Sequence, residues 1–345
     1  MQNLVNTYQD LNYAALLVKI KKAQRRPTVE SIFGLWWDEI TAVVAASTAN
    51  KIRKLFLAHV LTDNVAKVRV DGLNPLLVQK LLLDTLLKAQ KYTTVCSIST
   101  HLNAMCNFAV AVGIIKDNPI ANLKDLPQVR KAIKEIDHNK VHRYSFGYTQ
   151  IDSSIKRLFK DYRYFENLRC RILLELSFHL LLRPGEMVQL QKCRCDYTKK
   201  VLVATGTKTF DEFYIPLSES VCNLLQLAER YCSNEQYFFG SPHSKLKQSD
   251  HLSSQVLNAS LKRCGYRGKL HAHGIRSVFS TWASLHPKSI DYITKEAMLQ
   301  HIVSNRVERA YRHDRHFFEY RKQGHRVWSA YLTKIIGENS VLNKL

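Results

Sequence analysis

The apolar residues of this chain recur at three- and four-residue spacing along most of its length, which is typical of α-helices. One region differs from this pattern. Residues 200–205 and 213–217 are predicted as two short β-strands, and residues 206–209 between them are turn-like. The sequence therefore predicts a mainly α-helical protein that contains one small antiparallel sheet.

The length of 345 residues is enough for two domains of ordinary size. Residues 27–120 are predicted to form a small all-α domain of four helices, and the third helix begins at Asn74-Pro75, a favoured cap and first-turn pair. Residues 121–147 are polar, basic and weakly periodic, and we interpret them as an interdomain linker. Residues 1–26 form a short N-terminal extension that ends in a basic run.

The second predicted domain, residues 148–345, combines the sheet with many helices. A strongly apolar helix over about 165–182 ends immediately before Arg183. Further helices are predicted after the strands, near residues 218–231, 250–264, 273–286, 289–300, 304–312 and 314–336. The apolar residues of the last helix pack either on the core of their own domain or on a neighbouring copy of the chain.

The chain is strongly basic, with a formal net charge of +22 and a pI near 9.7. Residues 1–125 contribute +6 of this charge and residues 126–345 contribute +16. Such an excess favours a polyanionic partner, for which DNA, RNA and an anionic membrane surface are the candidates. Because both halves are basic, the charge fits a protein that clamps DNA between two domains.

The sequence shows no signal for export or membrane insertion. It has no run of 18 apolar residues, and its N-terminus lacks the basic start and apolar core of a secretory signal. The eight cysteines include no CxxC motif, and Cys193 and Cys195 have no second pair at zinc-finger spacing. We therefore expect reduced thiols, no metal site and a cytoplasmic, nucleoid-associated protein.

The second domain offers the groups that cleave a phosphodiester without a metal. That reaction needs a nucleophile for phosphorus, an acid for the leaving oxygen, and cations that hold the transition-state charge. Arginine suits the last task because its fork pairs with two phosphate oxygens. In chain order, the candidate residues are Arg183, Lys208, His273, Arg276, His301 and Tyr311. Each of them alone is as easily explained by capping or packing, and only the ordered set is specific.

The order and context of these residues resemble the tyrosine recombinases of the phage-integrase type. The similar segments are Arg183-Pro184-Gly185-Glu186, Thr207-Lys208-Thr209 with Tyr214-Ile215-Pro216-Leu217, His273-Gly274-Ile275-Arg276-Ser277-Val278-Phe279-Ser280-Thr281, Leu299-Gln300-His301 and Ala310-Tyr311-Arg312. The nine residues between His301 and Tyr311 resemble integrases of satellite phages and genomic islands. The resemblance covers residues 165–320, whereas the helical N-terminal half is similar to the family's core-binding domain only in pattern. Residues 1–26 are shorter than the arm-site DNA-binding domain of many members.

The resemblance implies a four-helix core-binding domain and a mixed α+β catalytic domain that form a C-shaped DNA clamp. It implies that Tyr311 is the nucleophile and forms a 3′-phosphotyrosine link that conserves the energy of the broken bond. Arg183 and Arg276 would then bind the scissile phosphate and its transition-state charge. Glu186 would orient Arg183, although a plain helix-surface role for Glu186 remains an alternative.

The same resemblance assigns the proton transfers and the partners. Lys208 would be the general acid for the 5′ oxygen, His273 the base or proton shuttle for Tyr311, and His301 a hydrogen-bond partner of the phosphate. No cofactor or metal is expected. The expected partners are double-stranded DNA and three further copies of the chain, in a tetramer on two DNA sites, with a DNA-bending protein or a directionality factor as accessory candidates.

Three other functions remain open at this point. A type IB topoisomerase shares the chemistry but relaxes supercoils as a monomer, without a partner site. A non-catalytic DNA-binding protein on the same scaffold would bind DNA and trap no covalent complex. A basic RNA-binding protein would leave the order of the motifs unexplained. Integration or excision of a mobile element is favoured among the recombination reactions by the resemblance alone.

Overall fold

The computed structural model describes residues 18, 20, 21, 23–140, 145–207, 210–241, 250–301 and 314–344. The chain divides into two compact units, Met1–Val141 and His142–Leu345, each with its own hydrophobic core. Most described residues are helical, and their strands form one small antiparallel sheet. The predicted fold class, mainly α with a small antiparallel sheet, is therefore confirmed.

The described residues of the first unit form helices joined by turns, and one isolated β-bridge pairs Thr28 with Arg69. Its helices are α1 (Val29–Val43), α2 (Ala46–His59), α3 (Pro75–Val78), a π-helical turn (Gln79–Leu83), α4 (Asp84–Lys88), α5 (Tyr92–Ala111) and α6 (Pro127–Lys140). The side chain of Asn74 accepts a hydrogen bond from the backbone of Leu77 at 2.9 Å, as expected for the helix start at Asn74-Pro75. In the core, the rings of Phe33 and Phe56 stack with centroids 4.8 Å apart.

The predicted linker 121–147 differs from the structure, which forms α6 over most of it. One narrow apolar face explains the helix, since Val129 and Ala132 are fully buried in the core of the first unit and Ile133 packs against it. The other faces of α6 are polar and basic, so the helical periodicity of the sequence is weak and did not predict the helix.

The second unit contains eight described helices of five or more residues and three strands, most of them where they were predicted. The elements are α7 (Ile151–Phe165), α8 (Leu168–Leu180), α9 (Pro184–Val188), β1 (Cys195–Asp196), β2 (Val201–Thr205), β3 (Glu212–Pro216), α10 (Glu219–Tyr231), α11 (Val256–Arg263), α12 (Gly274–Leu285), α13 (Tyr292–Met298) and α14 (Asp314–Ile336). The predicted helix at 304–312 lies outside the described residues.

Two elements of the second unit were not predicted. Helix α7 precedes the apolar helix, and Asn167 separates the two by capping α8 through the backbone of Cys170 at 3.0 Å. Strand β1 is only two residues long and pairs with β2, in which Leu202 lies opposite Cys195. A strand of two residues carries too little periodicity to be predicted from a pattern.

Strands β2 and β3 form the predicted hairpin, with Val201 opposite Pro216 and Thr205 opposite Glu212. Gly206 begins the connection with a φ of +61°, a conformation that glycine adopts easily. The Thr207 hydroxyl then donates to the Phe210 carbonyl at 2.6 Å and accepts from the Phe210 amide at 2.9 Å. These contacts join the two ends of the connection between β2 and β3.

The last long helix, α14, packs on the core of its own unit. Trp328 is fully buried, and its indole N–H donates to the carbonyl of Phe178 in α8 at 2.7 Å. Leu332 and Ile336 follow on the same face and are also buried. Of the two interpretations of this helix, the structure supports packing on its own domain for the described residues.

No helix among the described residues is long and apolar enough to cross a membrane. The described part of the chain also contains no cluster of three histidine, cysteine or acidic side chains that could hold a metal ion. All eight cysteines lie within the described residues and are free thiols.

Candidate active site

A buried arginine lies at the centre of the candidate site. Arg276 is in the first turn of α12 and is only 5% exposed. Its two terminal nitrogens donate to the carbonyls of Leu181, after α8, and of Leu299, after α13. One guanidinium therefore holds together the ends of two helices that lie far apart in sequence.

Burial, together with the smaller effect of the charge of nearby Arg183, lowers the pKa of Arg276 to about 10. A pKa near 10 still leaves Arg276 fully protonated at neutral pH. Arg276 donates to the carbonyl of Leu299 and Arg183 donates to the side chain of Gln300, so the two guanidinium groups contact adjacent residues. The site therefore concentrates two positive charges in a region that excludes much of the water, where an anion is bound more strongly than in bulk solvent.

Arg183 is held from two sides. It caps the short helix α9, whose residue Glu186 accepts from the Arg183 backbone amide and from its Nη1, both at 2.9 Å. On the other side, Nη1 donates to Oε1 of Gln300 at 2.5 Å. Because the side chain remains 21% exposed, the guanidinium can still be reached from solvent. We refer to Arg183, Glu186, Arg276 and Gln300 as the arginine centre.

Two backbone turns in the left-handed region flank the arginine centre. Leu181 has a φ of +55° and Gln300 a φ of +54°, although neither residue is glycine. Leu181 ends α8 and directs its own carbonyl at Arg276, whereas Gln300 directly follows the second carbonyl, that of Leu299. Backbone strain of this kind persists where the surrounding structure enforces it, and it is concentrated at functional sites.

The two predicted histidines lie at the ends of helices beside these groups. His273 immediately precedes α12, three residues before Arg276. The neighbouring His271 caps the same helix, because its Nδ1 accepts from the Gly274 amide at 2.7 Å. His301 follows Gln300 and is fixed by Glu296, whose carboxylate lies 2.6 Å from its Nδ1. A carboxylate on one ring nitrogen leaves the other nitrogen oriented for a second partner.

The structure thus brings Arg183, Glu186, Arg276 and the segment that contains His301 into one region, with His273 on the helix of Arg276. Lys208 and Tyr311 lie outside the described residues. Thr207 and Phe210, which flank Lys208, are hydrogen-bonded to each other across the connection between β2 and β3. Helix α14 begins at Asp314, shortly after Tyr311.

A family model described as the phage integrase family matches residues 152–316, which include all of these positions. Residues 152–316 belong to the phage integrase family. The matched segment lies within the second unit and begins and ends inside helices α7 and α14. The family resemblance predicted from the sequence motifs is therefore confirmed.

This phage integrase family member is similar to the prophage integrase IntA of Escherichia coli strain K12. The two are 27% identical over 176 residues, which are 50% of this chain and 40% of IntA. The aligned region therefore spans less than half of the relative's length.

Solved structures share the fold at lower identity. A lambda integrase dimer bound to a COC′ core site superimposes with a TM-score of 0.61 at 16% identity, covering 84% of this chain and 96% of that one. A lambda integrase tetramer bound to a Holliday junction gives a TM-score of 0.59 at 17% identity, covering 84% and 78%. Both show that this family member has the integrase fold.

Sequence reasoning missed two polar residues of this family member's site. Gln300 lay inside a quoted motif, but its contact with Arg183 joins residues 117 positions apart and has no local signature. His271 offered a weak signal in the sequence, since it lies two residues before His273. In the structure, the ring centroids of these two histidines are 6.3 Å apart. A histidine that caps a helix cannot be distinguished by pattern from one that faces a ligand.

Proposed function

We propose that this protein is a tyrosine-type, site-specific DNA recombinase that integrates or excises a mobile element. The arginine centre is the observation that supports the proposal most strongly. Two guanidinium groups lie close together, one buried and one partly open to solvent, within a phage integrase family segment. A scissile phosphate bound between them would gain charge-assisted hydrogen bonds to its non-bridging oxygens.

In the proposed reaction, the Tyr311 hydroxyl oxygen attacks phosphorus and the bond from phosphorus to the 5′ oxygen breaks. His273 accepts the tyrosine proton, and Lys208 supplies a proton to the departing 5′ oxygen. The product is a 3′-phosphotyrosine and a free 5′ hydroxyl. A hydroxyl of a partner strand reverses the same steps, so strand exchange needs no nucleotide cofactor.

Arg183 and Arg276 bind the negative charge that grows on the non-bridging oxygens during both steps. With both ring nitrogens carrying a proton, His301 donates to Glu296 from Nδ1 and donates a further hydrogen bond to the phosphate from its other nitrogen. Glu186 keeps the fork of Arg183 in one orientation, since the carboxylate accepts from both the side chain and the backbone of Arg183. The resistance of arginine to deprotonation keeps both cations available over the physiological pH range.

The proposed substrate is double-stranded DNA, and the net charge of +22 supports this choice. Recombination pairs two duplexes, so we propose that four copies assemble on two DNA sites, as in the lambda integrase tetramer bound to a Holliday junction. We propose that the protein acts at the nucleoid in the cytoplasm. Its integrase subgroup, that of satellite phages and genomic islands, is proposed from the His301–Tyr311 spacing alone.

The experiment that tests this function traps the covalent intermediate. The full chain is incubated with a pool of nicked DNA duplexes in which the sequence around the nick is randomised. Cleavage next to the nick releases a short fragment, so religation is blocked and the protein stays attached. Adducts that survive denaturation are isolated, and their DNA is sequenced to obtain the preferred duplex.

The unmodified chain should yield adducts with a shared sequence, whereas Tyr311→Phe should bind the same duplex and yield none. Tyr292→Phe is the matched control, because Tyr292 is an exposed tyrosine on α13, and it should form adducts normally. DNA binding without any adduct from the unmodified chain would instead identify a non-catalytic binding protein. Relaxation of an unrelated supercoiled plasmid would indicate a topoisomerase.

A further inference from the structure

Gln300 combines three features that a residue with only a packing role does not need. It is 1% exposed, it has a left-handed φ of +54°, and it lies beside the two arginines. A residue with a Cβ adopts this backbone conformation at an energetic cost, and glycine would avoid the cost. The side chain must therefore provide something that glycine cannot.

One half of the carboxamide has a clear partner. Oε1 accepts from Nη1 of Arg183 at 2.5 Å, and the Glu186 carboxylate accepts from the same nitrogen at 2.9 Å. A neutral acceptor fixes the guanidinium without removing its charge. A second carboxylate at this position would compete with phosphate for the cation.

The other half of the carboxamide lacks a partner. Nε2 of Gln300 is buried and finds no hydrogen-bond acceptor among the described residues. A buried donor without an acceptor is costly and rare in folded proteins. Because Nε2 belongs to the same planar group as Oε1, it lies close to the Arg183 guanidinium.

We propose that Gln300 is a further residue of the strand-cleavage site, with one role for each half of its carboxamide. Oε1 positions Arg183, and Nε2 donates to a non-bridging oxygen of the DNA phosphate that Arg183 and Arg276 bind. This assignment rests on the proposed recombinase function. It explains both the left-handed backbone and the orphaned donor, since the bound phosphate supplies the missing acceptor.

The experiment measures single-turnover cleavage of the nicked duplex selected above, together with DNA affinity and the melting temperature. Gln300→Gly removes both roles and relieves the backbone, so we expect the cleavage rate constant to fall about 10- to 100-fold, the range for a lost hydrogen bond to a charged group. DNA affinity should change less than about threefold, because most contacts to DNA lie elsewhere. Gln300→Glu keeps an acceptor for Arg183 but loses the donor, and it should also cleave slowly.

Gln90→Gly is the matched control. Gln90 is the same residue type with a nearly identical φ of +53°, but it is exposed and lies in the first unit. It should gain the same relief of backbone strain and cleave at the unmodified rate. Should Gln300→Gly fail to fold, Gln300→Asn replaces it, because asparagine tolerates the left-handed region but is too short to reach Arg183.

Each outcome separates the alternatives. If Gln300→Gly cleaves at the same rate as the original protein, the proposal is overturned. Adduct formation by the original protein would still support the recombinase function. Fast cleavage by Gln300→Glu with slow cleavage by Gln300→Gly overturns the donor role and keeps the positioning role. If the DNA affinity and the melting temperature of Gln300→Gly fall in proportion to its cleavage rate, the role of Gln300 is structural only. If the unmodified chain forms no adduct, the proposed function fails and this inference fails with it.

Discussion

The second unit buries polar side chains in several places, and two of these places differ in charge. The arginine centre holds two cations against backbone carbonyls, a glutamate and a glutamine. A second group lies where α14 packs on α8 and on the start of α10, and it consists of Ser218, Ser329, His179 and His325. We call it the histidine cluster. Ser329 links two of its members, with its hydroxyl 3.0 Å from Nδ1 of His179 and 2.7 Å from the hydroxyl of Ser218.

Burial lowers the pKa in both groups but leaves them in different charge states. The arginines keep their charge because the pKa of arginine starts so high that even a fall to about 10 leaves Arg276 protonated. Complete burial lowers the pKa of His179 to about 3 and that of His325 to about 4, so both rings are neutral at pH 7. We infer that the arginine centre is built to hold an anion, whereas the histidine cluster stabilises the docking of α14.

The largest expected effect comes from removing the fork of Arg276. Arg276→Lys keeps a positive charge but cannot bond two carbonyls and a phosphate together, so the cleavage rate constant should fall about 10²- to 10³-fold. The measurement is single-turnover cleavage of the selected nicked duplex. Arg326→Lys, an exposed position on α14, is the matched control and should cleave normally. A rate within about threefold of the unmodified protein would remove Arg276 from the proposed mechanism.

Acid should break the histidine cluster before it affects the arginine centre. The folded pKa values of His179 and His325 lie below the ordinary value of 6.5, so the unfolded chain takes up protons first. Stability is therefore fully present above about pH 6.5 and falls as the pH drops towards about 4. Each histidine contributes about 1.4 kcal/mol per pH unit, which makes the loss about 2–3 kcal/mol between about pH 7.5 and 5.5.

Urea unfolding at a series of pH values measures this loss. The neighbours that act on the rings are known. The charge of His325 lowers the pKa of His179, whereas the pKa of His325 is lowered by Arg321 and raised by a hydrogen bond to the His179 backbone. His325→Leu removes one titrating ring and should flatten the pH dependence by about half. An unchanged slope in that variant would show that other groups cause the acid sensitivity.

Gly324 lies where α14 packs against α13. A Cβ added at Gly324 would collide with Sδ of Met298 and come within 2.7 Å of Cγ2 of Thr294. Gly324→Ala should therefore destabilise the fold by about 1–3 kcal/mol through overpacking. Because α13 leads directly to Leu299, whose carbonyl accepts from Arg276, the cleavage rate should fall as well.

A second substitution tests the cause of that effect. Met298→Ala in the Gly324→Ala protein makes room for the added methyl group, and it should restore part of both the stability and the cleavage rate. Independent, additive losses from the two substitutions would mean that the collision is not the reason for the effect. Such a result would also separate the crossing of α13 and α14 from the geometry of the arginine centre.

The difference between the two polar groups also explains what could be predicted from sequence. Arg183 and Arg276 stand in ordered motifs, and the hairpin and most helices follow from periodicity. Their partners include the carbonyls of Leu181 and Leu299 and the side chain of Gln300. Backbone carbonyls and glutamines occur throughout any sequence, and only tertiary packing brings these particular ones to the arginines. His179 lies in an apolar helix and its partner Ser329 is 150 residues away, so no local pattern marks the cluster.

The smallest expected effect concerns Ser329, which should matter for stability alone. Ser329→Ala removes the hydroxyl that bridges His179 and Ser218, and the loss should be about 1 kcal/mol, or about 2–4 °C in melting temperature. Cleavage of the selected duplex should stay unchanged, because nothing in the cluster contacts the arginine centre among the hydrogen bonds of the described residues. Thr333→Ala is a suitable control, since its hydroxyl bonds the Ser329 carbonyl one helical turn away, outside the histidine cluster. A Ser329→Ala protein that melts normally but cleaves slowly would reverse the division of roles between the two groups.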